Sequence, residues 1–181
     1  TLDVLRQPLE SGLVVITRSG QATRMPCRFV LVGAMNPCVC GNLGRSDRPC
    51  ACTPAQVAQY RSRVSGPLLD RFEIQVEVPP VSVADLVKAS PGEPSAVVAA
   101  RIVAARRRRN QEIEPAPSVA AQTILHRAIR GLGLSARAHD GVLRVARTIA
   151  HLDGRASIEP QHVAEAIQYR CLDRSPVRSE R

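Results

Sequence analysis

The sequence predicts an α/β segment followed by an all-α segment, and three observations carry that expectation. Apolar runs with strand character all fall before residue 80: Leu13-Val-Val-Ile-Thr, Phe29-Val-Leu-Val-Gly-Ala-Met, and the alternating stretch from Phe72 to Val78. Pro79-Pro80 then punctuates the chain, and no strand signal returns. From Ser95 onward apolar residues recur at helical spacing instead. The expected boundaries are 1–80 for the first part with an insert at 37–54, a linker at 81–94, a helical domain at 95–173 and a tail at 174–181.

Each element has a local reason. Leu2, Leu5 and Leu9 line one face of a short helix that Gly12 ends, with Pro8 near its last turn. The β-branched run from Leu13 reads as a strand, and Phe29 to Met35 reads as a second, apolar on both faces like the centre of a parallel sheet. Between Pro37 and Pro54 the pattern dissolves into Cys, Gly, Pro and polar residues, a loop of the size that is usually functional. Ala55 to Val64 looks helical, and Ser65 to Arg71 supplies a turn and a single helical turn. In Phe72 to Val78 the residues Phe72, Ile74, Val76 and Val78 alternate with polar ones, predicting a half-buried strand near a sheet edge. Ser95 to Arg109 is an amphipathic helix, broken from the next by Pro115 and Pro117, and residues 121–132 continue helical. Ser135 is placed to cap a long helix with Val142, Val145, Ala146, Ile149 and Leu152 on its apolar face and Arg137, Arg144 and Arg147 off it. Gly154 ends that helix, and Pro160 opens a last one with Val163, Ala166 and Ile167 inward. After Leu172 the chain reads as a frayed tail.

Composition bounds the function. At 181 residues, 44% hydrophobic and 23% charged, the chain can bury a core and is not composed like a disordered tail, a collagen or a coiled coil. It has no run of 18 uncharged apolar residues and no basic-then-apolar leader, so a soluble cytoplasmic protein without a membrane partner is expected. Because Thr1 opens straight into a helical pattern, a piece of a longer chain is expected. The formal charge is +9, with +3 up to residue 80 and +6 after it, which hints at a polyanionic partner such as DNA. Lys88 is the only lysine, and an almost all-Arg set beside many Ala and Val reflects a GC-rich genome more than selected guanidinium chemistry. The aromatics are Phe29, Phe72, Tyr60 and Tyr169 alone, which argues against a stacking platform for single-stranded bases.

Four constellations could carry chemistry. Asn36 closes the second apolar run, where open α/β sheets bind ligands, and its amide offers a donor and an acceptor suited to holding a water near a phosphate. On spacing alone the plainer reading, that Asn36-Pro37 is simply a turn, is the favoured one. Arg71, after Leu68-Leu69-Asp70, suits a guanidinium reaching a phosphoryl group across a subunit boundary, against the plainer reading of an Asp70–Arg71 surface pair. Cys38-Val39-Cys40 and Cys50-Ala51-Cys52 are two C-x-C pairs nine residues apart, with Gly41 and Gly44 to turn the backbone. Four thiolates satisfy a tetrahedral structural zinc site, and metal can close a small knuckle where no core exists. Disulfides are disfavoured without an export signal, and free thiols stay open as the alternative. Cys27 and Cys171 lack partners in sequence and read as core thiols. Arg106 to Arg109 is either a phosphate patch or a solvated helix face, and four in a row wrap the helix too far to address one groove. His126, His139, His151 and His162 show no metal spacing.

Several motifs in fixed order add a resemblance. Thr1-Leu-Asp-Val-Leu-Arg-Gln-Pro-Leu-Glu-Ser-Gly, then Phe29 through Ala34-Met-Asn-Pro-Cys-Val-Cys-Gly, then Tyr60-Arg-Ser-Arg-Val-Ser-Gly-Pro-Leu-Leu-Asp-Arg-Phe lead into Gly133-Leu-Ser-Ala-Arg-Ala, Arg144-Val-Ala-Arg-Thr-Ile-Ala and Ala164-Glu-Ala-Ile-Gln-Tyr-Arg. Together they resemble the C-terminal half of the magnesium-chelatase-like AAA+ ATPases, specifically the ComM/YifB branch, over nearly all of the chain except about residues 83–120. The resemblance implies the distal part of an AAA+ P-loop NTPase core with a cysteine-rich insert, then a helical lid. It implies that Asn36 is the sensor-1 residue, which positions the attacking water or contacts the γ-phosphate of the bound nucleotide, Arg71 the trans-acting arginine finger with Asp70 beside it, and Arg137 the sensor-2 arginine, through which the helical lid feels the nucleotide. It implies ATP and Mg²⁺ as cofactors of the intact protein, a homo-oligomeric ring, hexameric, and a motor acting on DNA. The double C-x-C insert also resembles that branch.

Two departures qualify it. The phosphate loop Gly-x-x-x-x-Gly-Lys-Ser/Thr and the acidic Walker-B strand are absent from these residues and are expected upstream, so this polypeptide alone is expected not to hydrolyse ATP. The family's usual Asp in Thr-Ile-Ala-Asp-Leu is His151 here, read as a tolerated surface change. Two other readings stay open: an ATPase subunit for magnesium insertion into a porphyrin, and a truncated, non-catalytic interaction module.

Overall fold

In the computed structural model, residues 2–45, 47–81, 85, 87, 91–111 and 114–174 are described. They divide into two units, residues 1–72 and 73–181.

The first unit opens with a 3₁₀ turn, Leu2–Leu5, running into α1, Arg6–Ser11. Gly12 ends α1 as expected: its φ of 65° is a left-handed cap, and its N–H returns to the Pro8 carbonyl. β1, Leu13–Arg18, pairs antiparallel with β2, Gln21–Pro26, from Leu13 opposite Pro26 to Arg18 opposite Gln21. Ser19 (φ 51°) and Gly20 (φ 78°) make the connection, a two-residue turn whose positive φ values match the strand twist. After the cysteine-rich loop, Thr53 caps α2, Pro54–Arg61, through a reciprocal exchange with Gln56. A short α3, Gly66–Leu69, follows.

Two expected strands are corrected. Phe29 to Met35 has no strand pairing, and Val30 and Val32 stand 88% and 87% exposed. A doubly buried parallel strand needs a neighbour on each edge, and among the described residues the only sheet is the β1–β2 hairpin. Phe72 to Val78 makes one isolated parallel bridge, Gln75 to Arg170. There the polar residue is the buried one. Gln75 is 6% exposed because its N–H bonds to Tyr169 O (2.6 Å) and its side-chain oxygen accepts from Leu172 N–H (3.0 Å), while Ile74, Val76 and Val78 face outward.

The second unit is helical: α4 Ser95–Gln111, α5 Val119–Leu132, α6 Ala136–Leu152, α7 Pro160–Gln168 and a 3₁₀ turn, Cys171–Arg174. Ser118 and Ser135 each accept from the third following backbone N–H, supplying the caps of α5 and α6. The core is one cluster, with Ala121 and Leu125 from α5, Val142, Val145, Ala146, Ile149 and Ala150 from α6, Ile158, and Val163, Ala166 and Ile167 from α7. A backbone clasp joins the approaches to two helices: Pro117 bridges Ile158, with Ser118 N–H on Ile158 O (2.9 Å) and Ile158 N–H on Ala116 O (3.0 Å). Among the described residues no helix is long and apolar enough to cross a membrane. The expected linker lies in part, and the tail beyond Arg174 wholly, outside the described residues.

His151 corrects another expectation. It is 4% exposed, in the last turn of α6, and neither ring nitrogen has a hydrogen-bond partner. Its carbonyl accepts from Arg108 of α4 at 2.9 Å, so a guanidinium sits on the negative end of α6. The arginine run is thereby divided: Arg108 turns inward while Arg106, Arg107 and Arg109 face out.

Candidate metal centre and nucleotide-site residues

The four predicted cysteines converge. The Sγ atoms of Cys38, Cys40, Cys50 and Cys52 all lie within 4.8 Å of one another. Cys38 Sγ is 3.4 Å from Cys40 Sγ and 3.6 Å from Cys50 Sγ, and Cys40 to Cys50 is also 3.6 Å. A disulfide would need about 2.05 Å, and all six cysteines are free. Four sulfurs at about 2.3 Å from one tetrahedral ion stand roughly 3.8 Å apart, so the spacing fits a metal and not a covalent bridge. Local backbone explains how C-x-C manages it. Gly41 (φ 77°) turns the chain at once after Cys40, its N–H on Cys38 O, and Gly44 (φ 84°) turns it again.

The proton distribution of the metal-free array points the same way. Backbone N–H groups of Asn42 and Ala51 bring the Cys40 thiol down to about 6. At Cys38 burial works upward, but the Leu43 N–H and the Cys50 and Cys52 thiols outweigh it and the net direction is down. Cys50 moves the other way: the Cys52 N–H favours its thiolate, yet burial and the Cys40 and Cys38 sulfurs push it up to about 12. Cys52 is also raised, the sulfur of Cys40 and burial overriding the Cys40 N–H. Four adjacent thiolates repel one another, and a divalent cation bound among them would favour the thiolate at Cys50 and Cys52 as well.

The nucleotide candidates are distributed over both units. Asn36 is exposed, two residues before Cys38. Asp70 is the C-cap of α3. Arg71 is turned inward, its side chain 9% exposed, with Nη2 on Glu10 of α1 and Nη1 donating to the Pro67 carbonyl. In the second unit Arg137 is exposed in the first turn of α6, at the positive end of that helix.

Sequence reasoning missed several organising groups. Arg108 on the α6 terminus is one. His162 is another: buried, it accepts from Glu159 N–H at Nδ1 (3.0 Å), which leaves Nε2 to donate to Asp153 (3.1 Å). Buried Arg170 is a third, its Nη1 only 3.4 Å from where a Cβ on Gly141 would stand. The signal for His162 was present, three residues after Glu159 at a Pro-opened helix. None existed for Arg108 or Arg170, whose partners are distant in sequence.

A mixed first unit with a four-thiol knuckle, followed by a helical unit, is the class the geometry defines. Comparison gives the family: residues 1–86 match the model for magnesium chelatase, subunit ChlI, and residues 111–170 match that for its C-terminal region. The relatives include the YifB protein of Escherichia coli K12, 40% identical over 96% of this chain and 37% of its own length. The competence protein ComM of Haemophilus influenzae is 38% identical over 96% of this chain and 36% of its own. A Mycobacterium bovis protein is 36% identical over 93% and 37%. The chain belongs to the magnesium-chelatase-like AAA+ family, in its ComM/YifB branch, and it spans a little over a third of the length of those relatives.

Proposed function

We propose that the chain is the distal part of an AAA+ ATPase module, the end of its nucleotide-binding core followed by the helical lid, in a ring-forming, hexameric motor that acts on DNA. The observation that carries this reading is the apolar segment Phe29–Met35, which delivers the exposed Asn36 to its carboxyl end inside a region matched to the family. Its open backbone and the outward Val30 and Val32 suit partner strands supplied by the remaining two-thirds of a protein as long as the relatives.

ATP with Mg²⁺ would supply the phosphoryl group and its activating charge. In this reading the Asn36 carboxamide holds the attacking water by one donor and one acceptor. Arg137 adds its charge to the N-terminal end of α6 and reports nucleotide to the lid. Arg71 serves the neighbouring subunit's site with Asp70 beside it, and it must exchange Glu10 and the Pro67 carbonyl for phosphate oxygens to do so. The cysteine knuckle holds zinc, the ion that four thiolates at this spacing suit best.

DNA as the partner draws on the name of the Haemophilus relative, a competence protein, and on the net charge of +9. Arg71→Ala in the intact protein is the test of the ATPase assignment. Turnover should fall about a thousandfold or more, with nucleotide affinity nearly unchanged in a titration, whereas equal loss of binding would count against the finger. Affinity for DNA should drop steeply as salt rises. Porphyrin metallation with no such salt dependence would shift the assignment to magnesium insertion.

A further inference from the structure

Asn36 is tied to the cysteine knuckle from two directions. Along the chain only Pro37, whose ring locks φ, separates it from Cys38. Cys38 is fully buried, the only buried residue among those described between Cys27 and Pro67. Across space the Asn36 carboxamide lies over the Gly41 turn: a Cβ on Gly41 would stand 3.8 Å from Asn36 Nδ2 and 3.9 Å from its Cγ.

The far side of the knuckle is anchored as well. Cys52 is followed at once by Thr53, the N-cap of α2. Arg61, in the last turn of α2, donates its Nε–H back to the Pro37 carbonyl at 3.3 Å. With a metal in place these links close a ring: Pro37, Cys38, the ion, Cys52, Thr53, α2, Arg61 and Pro37 again. Asn36 is the first residue outside it.

We propose that the metal-loaded knuckle is the positioning element for Asn36, so that metal occupancy controls turnover by fixing this one carboxamide. The proposal rests on the reading of Asn36 as the residue that orients water. Among the described residues no apolar core surrounds the knuckle to replace the ion, so its loss opens the ring and returns to Pro37 and Asn36 the conformational freedom that catalysis requires them to give up. Nucleotide affinity is carried by groups beyond the ring and is kept.

The experiment uses the intact protein with Asn36→Ala, Cys50→Ser, their double variant and Arg61→Ala. It reads ATP turnover, affinity for a fluorescent ADP analogue, bound zinc, and hydrogen–deuterium exchange of the peptide covering residues 29–41. Cys50→Ser should lose zinc, exchange faster across 29–41 and turn over about a hundredfold more slowly with nucleotide affinity unchanged. The double variant should be no slower than Asn36→Ala alone. Arg61→Ala removes the link to the Pro37 carbonyl but keeps all four thiols and the Gly41 turn, so it should retain zinc, speed exchange across 29–41 and lower turnover, which preserves the test if Cys50→Ser does not fold. Multiplied losses in the double variant would overturn the proposal, as would unchanged exchange after zinc removal, or wild-type protein that carries no zinc when prepared without chelator. Normal turnover in Asn36→Ala would instead overturn the role given to Asn36 and with it the control of turnover, while the exchange signal separately supports or overturns the mechanical link.

Discussion

The helical unit buries eleven side chains in one cluster, whereas the described residues of the first seventy-two bury two, Cys38 and Leu68. The helices are held by removal of apolar surface from water, about 25 cal/mol for each Å². The first unit is held by local devices: a capped helix, a tight hairpin, a reciprocal cap at Thr53, and four sulfurs poised around one point. A region with almost no core depends on what is added to it, and the proposed additions are a metal and, in the assembly, neighbouring strands.

Metal removal is the strongest way to break that contrast. Structural zinc contributes on the order of 10 kcal/mol in small domains. Stripping it should bring amide exchange at residues 38–52 close to that of an unfolded chain and leave α5–α7 protected. Equal loss of protection in the helices would show that the two units are not separately held. The converse is Leu125→Ala, which should cost the helical unit about 3 kcal/mol in thermal or denaturant unfolding without changing bound zinc. Ser135→Ala removes one cap and should cost about 1 kcal/mol. Gly154→Ala should cost a similar amount: its φ is 68°, and a Cβ there would meet the Arg108 guanidinium at 3.3 Å. The mildest probe is chemical. In metal-free protein at pH 7, alkylation should reach Cys40 well before Cys50, because the first titrates at about 6 and the second at about 12. The depressed Cys40 favours the folded knuckle fully above the ordinary thiol range near 9, and that contribution is lost as pH falls through about 6. Order reversed between Cys40 and Cys50 in peptide mapping would contradict the hydrogen bonds assigned to them.

Legibility followed the same division. In the helical unit, the Ser135 cap, the Pro160 start and the inward Val163, Ala166 and Ile167 were readable because periodicity and capping are local. Leu152, expected on the buried face, is exposed at the last position of α6. In the first unit the cysteines were readable from spacing alone. β2 was not: Gln-Ala-Thr-Arg-Met-Pro carries no apolar alternation, and Ser19-Gly20 was its only herald. Phe29–Met35 failed for a different reason, since burial of a central strand is a property of its neighbours and not of its own residues. His151 failed because Arg108, which packs at its helix end, lies 43 positions away.

The clasp between Pro117 and Ile158 also bears on time. Its two hydrogen bonds join segments separated by the whole of α5 and α6, and closing so long a loop carries an entropic cost that precedes any gain from the bonds themselves. The bonds are therefore expected to form after the helices have nucleated and docked, as the latch on an assembled helical cluster and not its seed. Replacing the Ser118 amide by an ester, which removes that N–H and leaves the Ile158 side chain in the core, should accelerate unfolding far more than it slows refolding, the kinetic mark of a contact made late.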